Sequence, residues 1–296
     1  MQTLAIALFA ITYILLLLLP RYRPYIALVS AGIFVAVGIV PLNTVFGFID
    51  WNVILMIAGT MGIVSLFIES RMPALLADLI LEKTPTVRWA VVALSLFSGI
   101  ISAFVDNVAT VLIVAPVAIS ISKKQGISPV PSVIAVAIAS NLQGAATLVG
   151  DATSILLGGY ANLDFLDFFW IQGRPGMFWI VQLGAIAATV ILYFTLRSMT
   201  GAVQPQERTP VEDRFPGFLL VLMIVLLILA SFIPEKPAIT NGLICVALFV
   251  VGLIRDLARG GTLEQSMKAI KDIDLFTLLL LMGLFVVVGG LTQAGV

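Results

Sequence analysis

The sequence contains no histidine, a single cysteine and few charged residues. The absence of histidine excludes Ser-His triads, His-ligated zinc and imidazole proton relays. The one cysteine, Cys245, excludes an internal disulfide framework and a thiolate metal cluster. Carboxylates, hydroxyls, amides and backbone dipoles must therefore carry any chemistry, and we expect no organic cofactor.

Charged residues make up 11% of the chain, hydrophobic residues make up 60%, and the mean hydropathy is +1.14. Ordinary soluble domains carry roughly 25% charged residues, so the composition predicts an all-α polytopic membrane protein whose main partner is the lipid bilayer. The net charge is +0, and no basic tail suggests a nucleic acid. The first apolar run lacks a basic n-region and a small-residue cleavage site, which indicates a retained helix rather than a signal peptide.

Several uncharged runs are long enough to cross a hydrocarbon core about 30 Å thick, which takes about 20 helical residues. These predicted spans cover residues 3–19, 25–41, 51–68, 176–196, 216–233, 237–254 and 275–292.

Two longer apolar segments are interrupted. Segment 89–122 is broken by Asp106 and Asn107, which leaves arms of about 16 residues, or about 24 Å each. We interpret it as a re-entrant hairpin; an interfacial turn joining two full spans is the alternative. Segment 131–161 is interrupted at residues 147–154, where Gly150 and several side-chain oxygens favour a broken helix. Irregular backbone at membrane depth must be covered by protein or line a water-filled cavity.

An internal repeat relates the two ends of the chain. Residues 49–72 align without gaps with residues 273–296 at an offset of 224, sharing Asp50/Asp274 and Gly59/Gly283 among five identities. The pattern predicts a first repeat over 1–196, a linker over 197–215 and the start of a second repeat over 216–296. Five net crossings in the first repeat would invert the second, and inverted repeats with broken helices are typical of secondary transporters.

We expect the second repeat to be incomplete, because residues 216–296 contain neither a hairpin nor a broken helix. By the repeat logic roughly 120 residues are absent. We expect the parent gene to continue past Val296, and the 296-residue chain alone to insert without transporting.

The positive charges are distributed asymmetrically. If the N-terminus lies outside, 14 of the 16 Lys and Arg residues fall on one face and only Arg174 and Lys236 fall on the other. The positive-inside rule makes the first face cytoplasmic. The protein is thus predicted to be multi-pass in the bacterial inner membrane, with the 197–215 linker in the cytoplasm.

The candidate site combines the two interruptions. A charged residue at the bilayer centre costs at least about 2.5–3.5 kcal/mol, so Asp106 and Asp151 need partners or a purpose. Oxygens and half-helix N-termini suit sodium, a proton or an oxyanion, and we predict sodium at Asp106, Asn107 and Asp151. The predicted substrate- or ion-binding set is Ser102, Asp106, Asn107, Thr110, Asn141, Thr147, Gly150, Asp151, Thr153 and Ser154.

Structural alternatives remain for part of this set. Ser95, Ser98 and Ser102 are spaced for one helical face and could serve only helix packing. Asp151 could be a capping residue at a wet helix end.

The hairpin sequence "SAFVDNVATVLIVAP", 102–116, resembles the signature of the ion transporter superfamily. That superfamily includes arsenite permeases, NhaD-type antiporters, the melanosomal P protein, and citrate and dicarboxylate carriers. "GDATSILLG", 150–158, occupies the place of the family's Gly-Asp-Pro-Pro-Asn stretch. Where the carboxylate carriers have Ser-Asn-Thr, this chain has Asp106, Asn107 and Val108, a version closer to the arsenite, antiporter and P protein branch.

These observations predict a secondary active transporter of small inorganic or organic ions, coupled to sodium or protons and working by alternating access. A sodium/proton antiporter without an anionic substrate is the alternative. An intramembrane aspartyl protease would need Gly-x-Gly-Asp, but Leu148 stands at the first glycine position. A scaffold or receptor predicts no flux change when either aspartate is neutralised. A homodimer is a further expectation.

Overall fold

The computed structural model describes residues 1–197, 199–202, 208–211, 213–259 and 263–296, with the side chains of 263–266 left out. Nearly all regular structure in these residues is helical, so the prediction of an all-α polytopic bundle is confirmed. The helices are α1 (Gln2–Leu18), α2 (Arg23–Ala36), α3 (Val45–Phe48), α4 (Trp51–Glu69), α5 (Met72–Leu81), α6 (Val87–Ser102), α7 (Asn107–Lys124), α8 (Val130–Gly144), α9 (Ala152–Ala161), α10 (Met177–Thr195), α11 (Phe215–Ser231), α12 (Thr240–Ala258), α13 (Leu263–Lys271) and α14 (Leu275–Gln293).

A small amount of other structure accompanies the helices. Strands β1 (Trp170–Ile171) and β2 (Arg174–Pro175) form an antiparallel pair between α9 and α10. Short 3₁₀ turns cover Pro20–Tyr22, Leu42–Thr44 and Phe165–Phe168.

Among the described residues, five helical segments are long and apolar enough to cross a membrane. These are Trp51–Glu69, Asn107–Lys124, Met177–Thr195, Thr240–Ala258 and Met267–Gln293. The second arm of the predicted hairpin is one of them, so length alone does not separate a re-entrant hairpin from two crossings. Re-entry at membrane depth therefore stays a prediction.

Two predicted boundaries differ from the structure. The span expected over 25–41 stops being helical at Ala36, because Gly38 takes a positive φ of 78° and the Ile39 N–H returns to the Phe34 carbonyl, a glycine-terminated helix end. The interruption expected over 147–154 lies at 145–151 instead. Asp151 is the N-cap of α9, so the two hydroxyl residues at 153 and 154 are helical.

Buried apolar side chains form two main cores. The larger core joins α4, α11, α12 and α14 to the start of α9 and to Val105 at the α6–α7 break. The other core lies among α5, α6, α7 and α8, and Leu196 beyond α10 also belongs to it. The hairpin thus contacts both cores, the first through its tip and the second through its arms.

Helices α4 and α14, which the repeat aligns, have matching environments. Both are 19 residues long, and in each an aspartate N-cap, Asp50 or Asp274, accepts a 3.1 Å bond from the N–H three residues later. Helix α4 packs on α12, while α14 packs on α2. At Gly59 a Cβ would lie 2.5 Å from the Cys245 carbonyl carbon, and at Gly283 it would lie 2.7 Å from that of Ala27. The two glycines that the repeat aligns, Gly59 and Gly283, thus each allow the close approach of the helices in their pair.

In each interface a large side chain also packs against a glycine, and the helices that supply the two are swapped between the interfaces. A Cβ on Gly252 of α12 would lie 2.6 Å from Leu66 Cδ1 of α4. In the other pair, a Cβ on Gly290 of α14 would lie 2.6 Å from Phe34 Cδ1 of α2. Leu66 and Gly290 are separated by the repeat offset of 224, so the bulky side chain comes from α4 in one interface and from α2 in the other. The packing is reciprocal between the two parts of the chain.

Candidate functional site

The hairpin is interrupted at residues 103–106, between α6 and α7. Asp106 is the N-cap of α7, and its Oδ2 accepts a 3.0 Å bond from the Ala109 N–H. Thr110 is fully buried and donates to the Asp106 backbone carbonyl at 2.9 Å. Thr110 therefore stabilises the first turn of α7, and Asp106 presents a carboxylate at the positive end of an 18-residue helix.

Helix α8 holds the start of α7 through polar side chains. Asn107 Nδ2 donates to Asn141 Oδ1 at 2.8 Å. Ser140 Oγ donates to the Asn107 carbonyl at 3.0 Å and lies 3.1 Å from Ser102 Oγ. Ser140 was not in the predicted binding set, although it connects three elements of the site. These bonds fix the direction in which Asp106 and Asn107 project.

The interruption of the broken helix lies directly against the interruption of the hairpin. Thr147 Oγ1 donates to the Ala103 carbonyl. A Cβ on Gly150 would lie 2.5 Å from the Gly144 carbonyl oxygen and 2.8 Å from each of the Ala103 and Ser102 carbonyl oxygens. Only glycine permits this approach, because such distances are shorter than real Cβ contacts. The sequence predicted that both interruptions contribute to one site, and the structure places them in direct contact.

The three polar residues at the start of α9 differ in burial. Asp151 is partly buried, and its carboxylate makes no capping bond to the described residues of α9. Ser154 is buried, and its Oγ lies 3.5 Å from the Gly144 carbonyl oxygen. Thr153 is exposed on α9, away from the joined breaks. The Asp151 carboxylate is therefore available to bind an ion. It would not be available if it capped α9.

A cavity of about 810 Å³ opens at the joined breaks. It is lined by Asp106, Asn107 and Asp151 from the predicted set. The lining also includes polar residues outside the predicted set: Ser65, Arg71, Asp272, Asp274 and Thr277.

These additional residues come from α4 and the turn after it, and from the loop before α14 and the first turn of that helix. Asp272 accepts a 2.7 Å bond from Ser65 Oγ, which ties the loop to α4. Asp274 accepts from Thr277 through both its backbone N–H and its hydroxyl. The repeat alignment of Asp274 with Asp50 was the one sequence signal for this region, and nothing pointed to Arg71 or Asp272.

The serine stripe of α6 has a packing role in the structure. Ser95 and Ser98 are buried, and Ser98 Oγ donates to the Val136 carbonyl of α8 at 3.3 Å. The stripe therefore lies along the α6–α8 interface, in agreement with the helix-packing alternative. Only Ser102, at the end of the stripe, reaches the joined breaks.

The capacity to hold a cation depends on mixed oxygen ligands. No group of three or more His, Cys, Asp or Glu side chains suited to a metal ion occurs in the described ranges. A hard monovalent or divalent cation also accepts carbonyl, amide and hydroxyl oxygens. Among the residues that line the cavity, the carboxylates of Asp106 and Asp151 and the side-chain amide of Asn107 supply such oxygen ligands.

The chain is similar to proteins described as transporters. The family model described as citrate transporter matches residues 13–296. An uncharacterized transporter of Mycobacterium tuberculosis is 33% identical over 309 residues, an alignment that covers 100% of this chain and 69% of the relative. A 46 kDa membrane protein of Mycobacterium leprae is 30% identical over 312 residues, covering 100% of this chain and 70% of the relative.

A more distant relative is the magnetosome protein MamN of Magnetospirillum gryphiswaldense, which is 29% identical over 227 residues, or 71% of this chain and 47% of that protein. The hairpin motif alone favoured the arsenite, antiporter and P protein branch, whereas the family model points to citrate carriers. The predicted superfamily resemblance is confirmed, and the protease alternative has no support in these matches. The chain belongs to the citrate transporter family, and it is a membrane transporter rather than an enzyme.

Proposed function

We propose that the protein is a secondary active transporter that moves a small carboxylate anion, of which citrate is the first candidate, with sodium or protons by alternating access. The observation that carries the proposal is the shared cavity. Two helices begin at Asp106 and Asp151, both aspartates line this cavity, and Asp274 at the start of α14 lines it from the other repeat.

The two helix starts supply opposite chemistries at one place. The positive dipole ends of α7 and α9 suit a carboxylate of the substrate. The carboxylates of Asp106 and Asp151 suit a cation. In this arrangement sodium lies among Asp106, Asn107 and Asp151, and Thr147 and Ser154 hold the surrounding backbone in place.

The charge of the cavity favours coupling to a cation. Four aspartates and one arginine line it, so a bare anion would enter against a net negative field. Binding sodium or protons first, or together with the anion, removes this repulsion. Transport of an anion through this cavity therefore requires a cation to bind with it.

The reciprocal packing supports an inverted repeat. Helix α4 contacts α12 as α14 contacts α2, and the close glycine and the large-small pair recur in both interfaces. A two-fold axis in the membrane plane would produce this exchange. We also propose a bacterial inner-membrane location, with the N-terminus outside and the linker in the cytoplasm, from the distribution of Lys and Arg.

A sodium/proton antiporter without an anionic substrate is the second candidate. The excess of aspartates over arginine in the cavity favours it. The two functions differ in one measurable respect, because the antiporter exchanges cations in the absence of any carboxylate.

The test is flux in liposomes that contain the full-length gene product, with sodium and pH gradients imposed separately. We expect labelled citrate uptake to follow one of the two gradients. Asp106→Asn and Asp151→Asn should abolish coupled uptake while leaving the protein inserted and folded. Glu235→Gln is the matched control, because this exposed carboxylate lies in the turn before α12, far in sequence from the cavity residues.

The outcomes separate the candidates. Citrate flux that ignores both gradients would remove the coupling. Wild-type flux in both aspartate variants would refute the site. Cation exchange with no uptake of citrate, arsenite or a dicarboxylate would establish the antiporter in place of the anion carrier.

A further inference from the structure

The described residues of the linker contact the cytoplasmic base of the hairpin. The Val87 N–H donates to the Gly201 carbonyl at 2.8 Å, and the Arg88 N–H donates to the Met199 carbonyl at 3.0 Å. Thr86 and Ala202 form an antiparallel bridge beside these bonds. The first N–H groups of a helix have no partner within the helix. Here the linker supplies those partners to α6.

The same residues also bind the second arm of the hairpin. Gln125, just after α7, donates from Nε2 to the Ala202 carbonyl at 2.6 Å. A Cβ on Gly201 would lie 2.6 Å from Gln125 Oε1, so this side chain lies directly against the linker backbone. Residues 199–202 therefore contact both arms at the end opposite to Asp106.

A second contact ties the linker to α5, which packs on both hairpin arms. Arg208 donates to both oxygens of Glu82, at 2.6 and 2.9 Å. Thr209 donates to Asp78 Oδ2 from its N–H at 2.8 Å and from its hydroxyl at 2.6 Å. The hydrogen bond from Arg208 is the main cause that lowers the pKa of Glu82 below its ordinary value, so this carboxylate stays charged.

The linker then reaches the other core of the protein. Asp213 pairs with Arg255 at the end of α12 and with Arg259 at 3.3 Å. The Arg255 guanidinium lies 3.9 Å from the centre of the Phe215 ring. The linker thus contacts the hairpin core on one side and the core of α11 and α12 on the other.

We propose that residues 199–202, together with Arg208 and Thr209, form a strap that fixes the cytoplasmic base of the hairpin to α5. The strap makes α5, α6 and α7 move as one body during transport. The link to transport rests on the proposed function, whereas the fixation itself does not.

The backbone bonds carry most of the strength of the strap. The Arg208–Glu82 pair is solvent-exposed, with side chains 63% and 35% exposed, and exposed ion pairs contribute little and are screened by salt. Val87, in contrast, is buried. We therefore expect the strap to persist at high salt and to weaken when a backbone donor is removed.

Val87→Pro removes one such donor with little other change to the helix. Val87 is the first residue of α6, a position where proline is favoured. Thr86 has φ −134° and ψ 157°, the extended conformation that a residue before proline adopts. Val87→Ala is the matched control, because it shortens the side chain and keeps the N–H.

Hydrogen exchange of the amides of residues 88–90 and 199–202 reads out the strap without any transport assay. We expect roughly fivefold faster exchange in Val87→Pro than in Val87→Ala, the ratio that follows from the loss of one net hydrogen bond. Equal exchange in the two variants would refute the strap. Raising the salt concentration should leave the exchange of 88–90 in the wild type unchanged; strong acceleration would show that the ion pair, and not the backbone, holds the linker.

A disulfide tests whether the hairpin and strap move together. Thr86→Cys with Ala202→Cys, in a Cys245→Ala background, places two cysteines across the antiparallel bridge, where Cα atoms lie about 4.5–5.5 Å apart and a disulfide fits. We expect oxidation to form the bond and citrate flux to stay within about twofold of the reduced protein. Flux that is lost on oxidation and restored by a reductant would refute the single moving body. Absence of flux in the unmodified protein would instead refute the proposed function, while hydrogen exchange would still decide the fixation.

Discussion

Gly150→Ala is the most informative single substitution, because it acts where the two interrupted segments meet. Three backbone carbonyl oxygens, those of Ser102, Ala103 and Gly144, surround the place where a Cβ would lie, at 2.5–2.8 Å. All three belong to backbone, so none can rotate away as a flexible side chain would. The added methyl group must therefore separate the broken helix from the hairpin.

The magnitude follows from these distances. Carbon–oxygen contacts normally lie at about 3.3–3.6 Å, so the carbonyls must move by roughly 0.5–1.1 Å. Overpacking a well-packed site costs about 1–3 kcal/mol, which corresponds to roughly a 5- to 150-fold change in the folding equilibrium. The same movement shifts Asp106 relative to Asp151, so we expect coupled flux to fall roughly tenfold or more, as small misplacements at functional sites do.

Cys245 provides a built-in assay of unfolding. It is the only cysteine and it is buried, so a thiol-reactive fluorescent dye labels the protein only as it unfolds on heating. We expect Gly150→Ala to melt at a lower temperature than the wild type. In the control, Gly32→Ala, no described atom beyond the neighbouring backbone of α2 lies within 4 Å of the added Cβ, and alanine should stabilise α2 by about 0.5–1 kcal/mol. An unchanged melting temperature and unchanged flux in Gly150→Ala would refute the close contact.

Two further predictions concern the linker over 197–215. The hydrogen bond from Arg255 lowers the pKa of Asp213 in the folded protein. The ionised carboxylate therefore stabilises the fold at pH values above the unfolded-state pKa of about 3.9. This stabilisation is lost as the pH falls through the lower pKa of the folded state. Asp213→Asn should therefore have a lower melting temperature than the wild type at pH 6, and this difference should shrink at pH 3. Tryptophan fluorescence measures the melting. An equal difference at both pH values would contradict the ion pair. For topology, Thr200→Cys and Ala238→Cys are both exposed, and in a Cys245→Ala background an outside-only reagent should label Ala238→Cys alone. Labelling of Thr200→Cys in intact cells would reverse the predicted orientation.

The helices and their approximate ends could be read from the sequence because lipid imposes a simple rule. Backbone groups must be satisfied within each segment, so long uncharged runs become helices. Local signals then placed the interruptions, since Asp106 and Asp151 are N-caps in the structure. The exact limits of the second interruption were wrong by two to three residues, because α9 already begins at Ala152, inside the run of polar residues that was taken as unwound.

The roles of individual side chains could not be predicted as well from the sequence. Thr110 and Thr153 both lie in the first turns of helices that follow an aspartate, yet Thr110 is buried against the Asp106 carbonyl and Thr153 is exposed. The serine stripe of α6 was equally compatible with a site and with packing until α8 was seen against it. Such differences depend on which neighbour covers each helix face, and a single sequence does not contain that information.

The sequence by itself determined the lipid environment, the helices and the two interruptions, because each follows from local hydrophobicity, charge or spacing. Only the tertiary structure decided that the two interruptions contact each other through Gly150 and that Asp272 and Arg71 line the same cavity. These groups are separated by many residues along the chain and are brought together by the packing of α4, α9 and α14. Contacts of that kind depend on side-chain shape across helix interfaces, where a glycine on one helix matters only because of the residue that faces it.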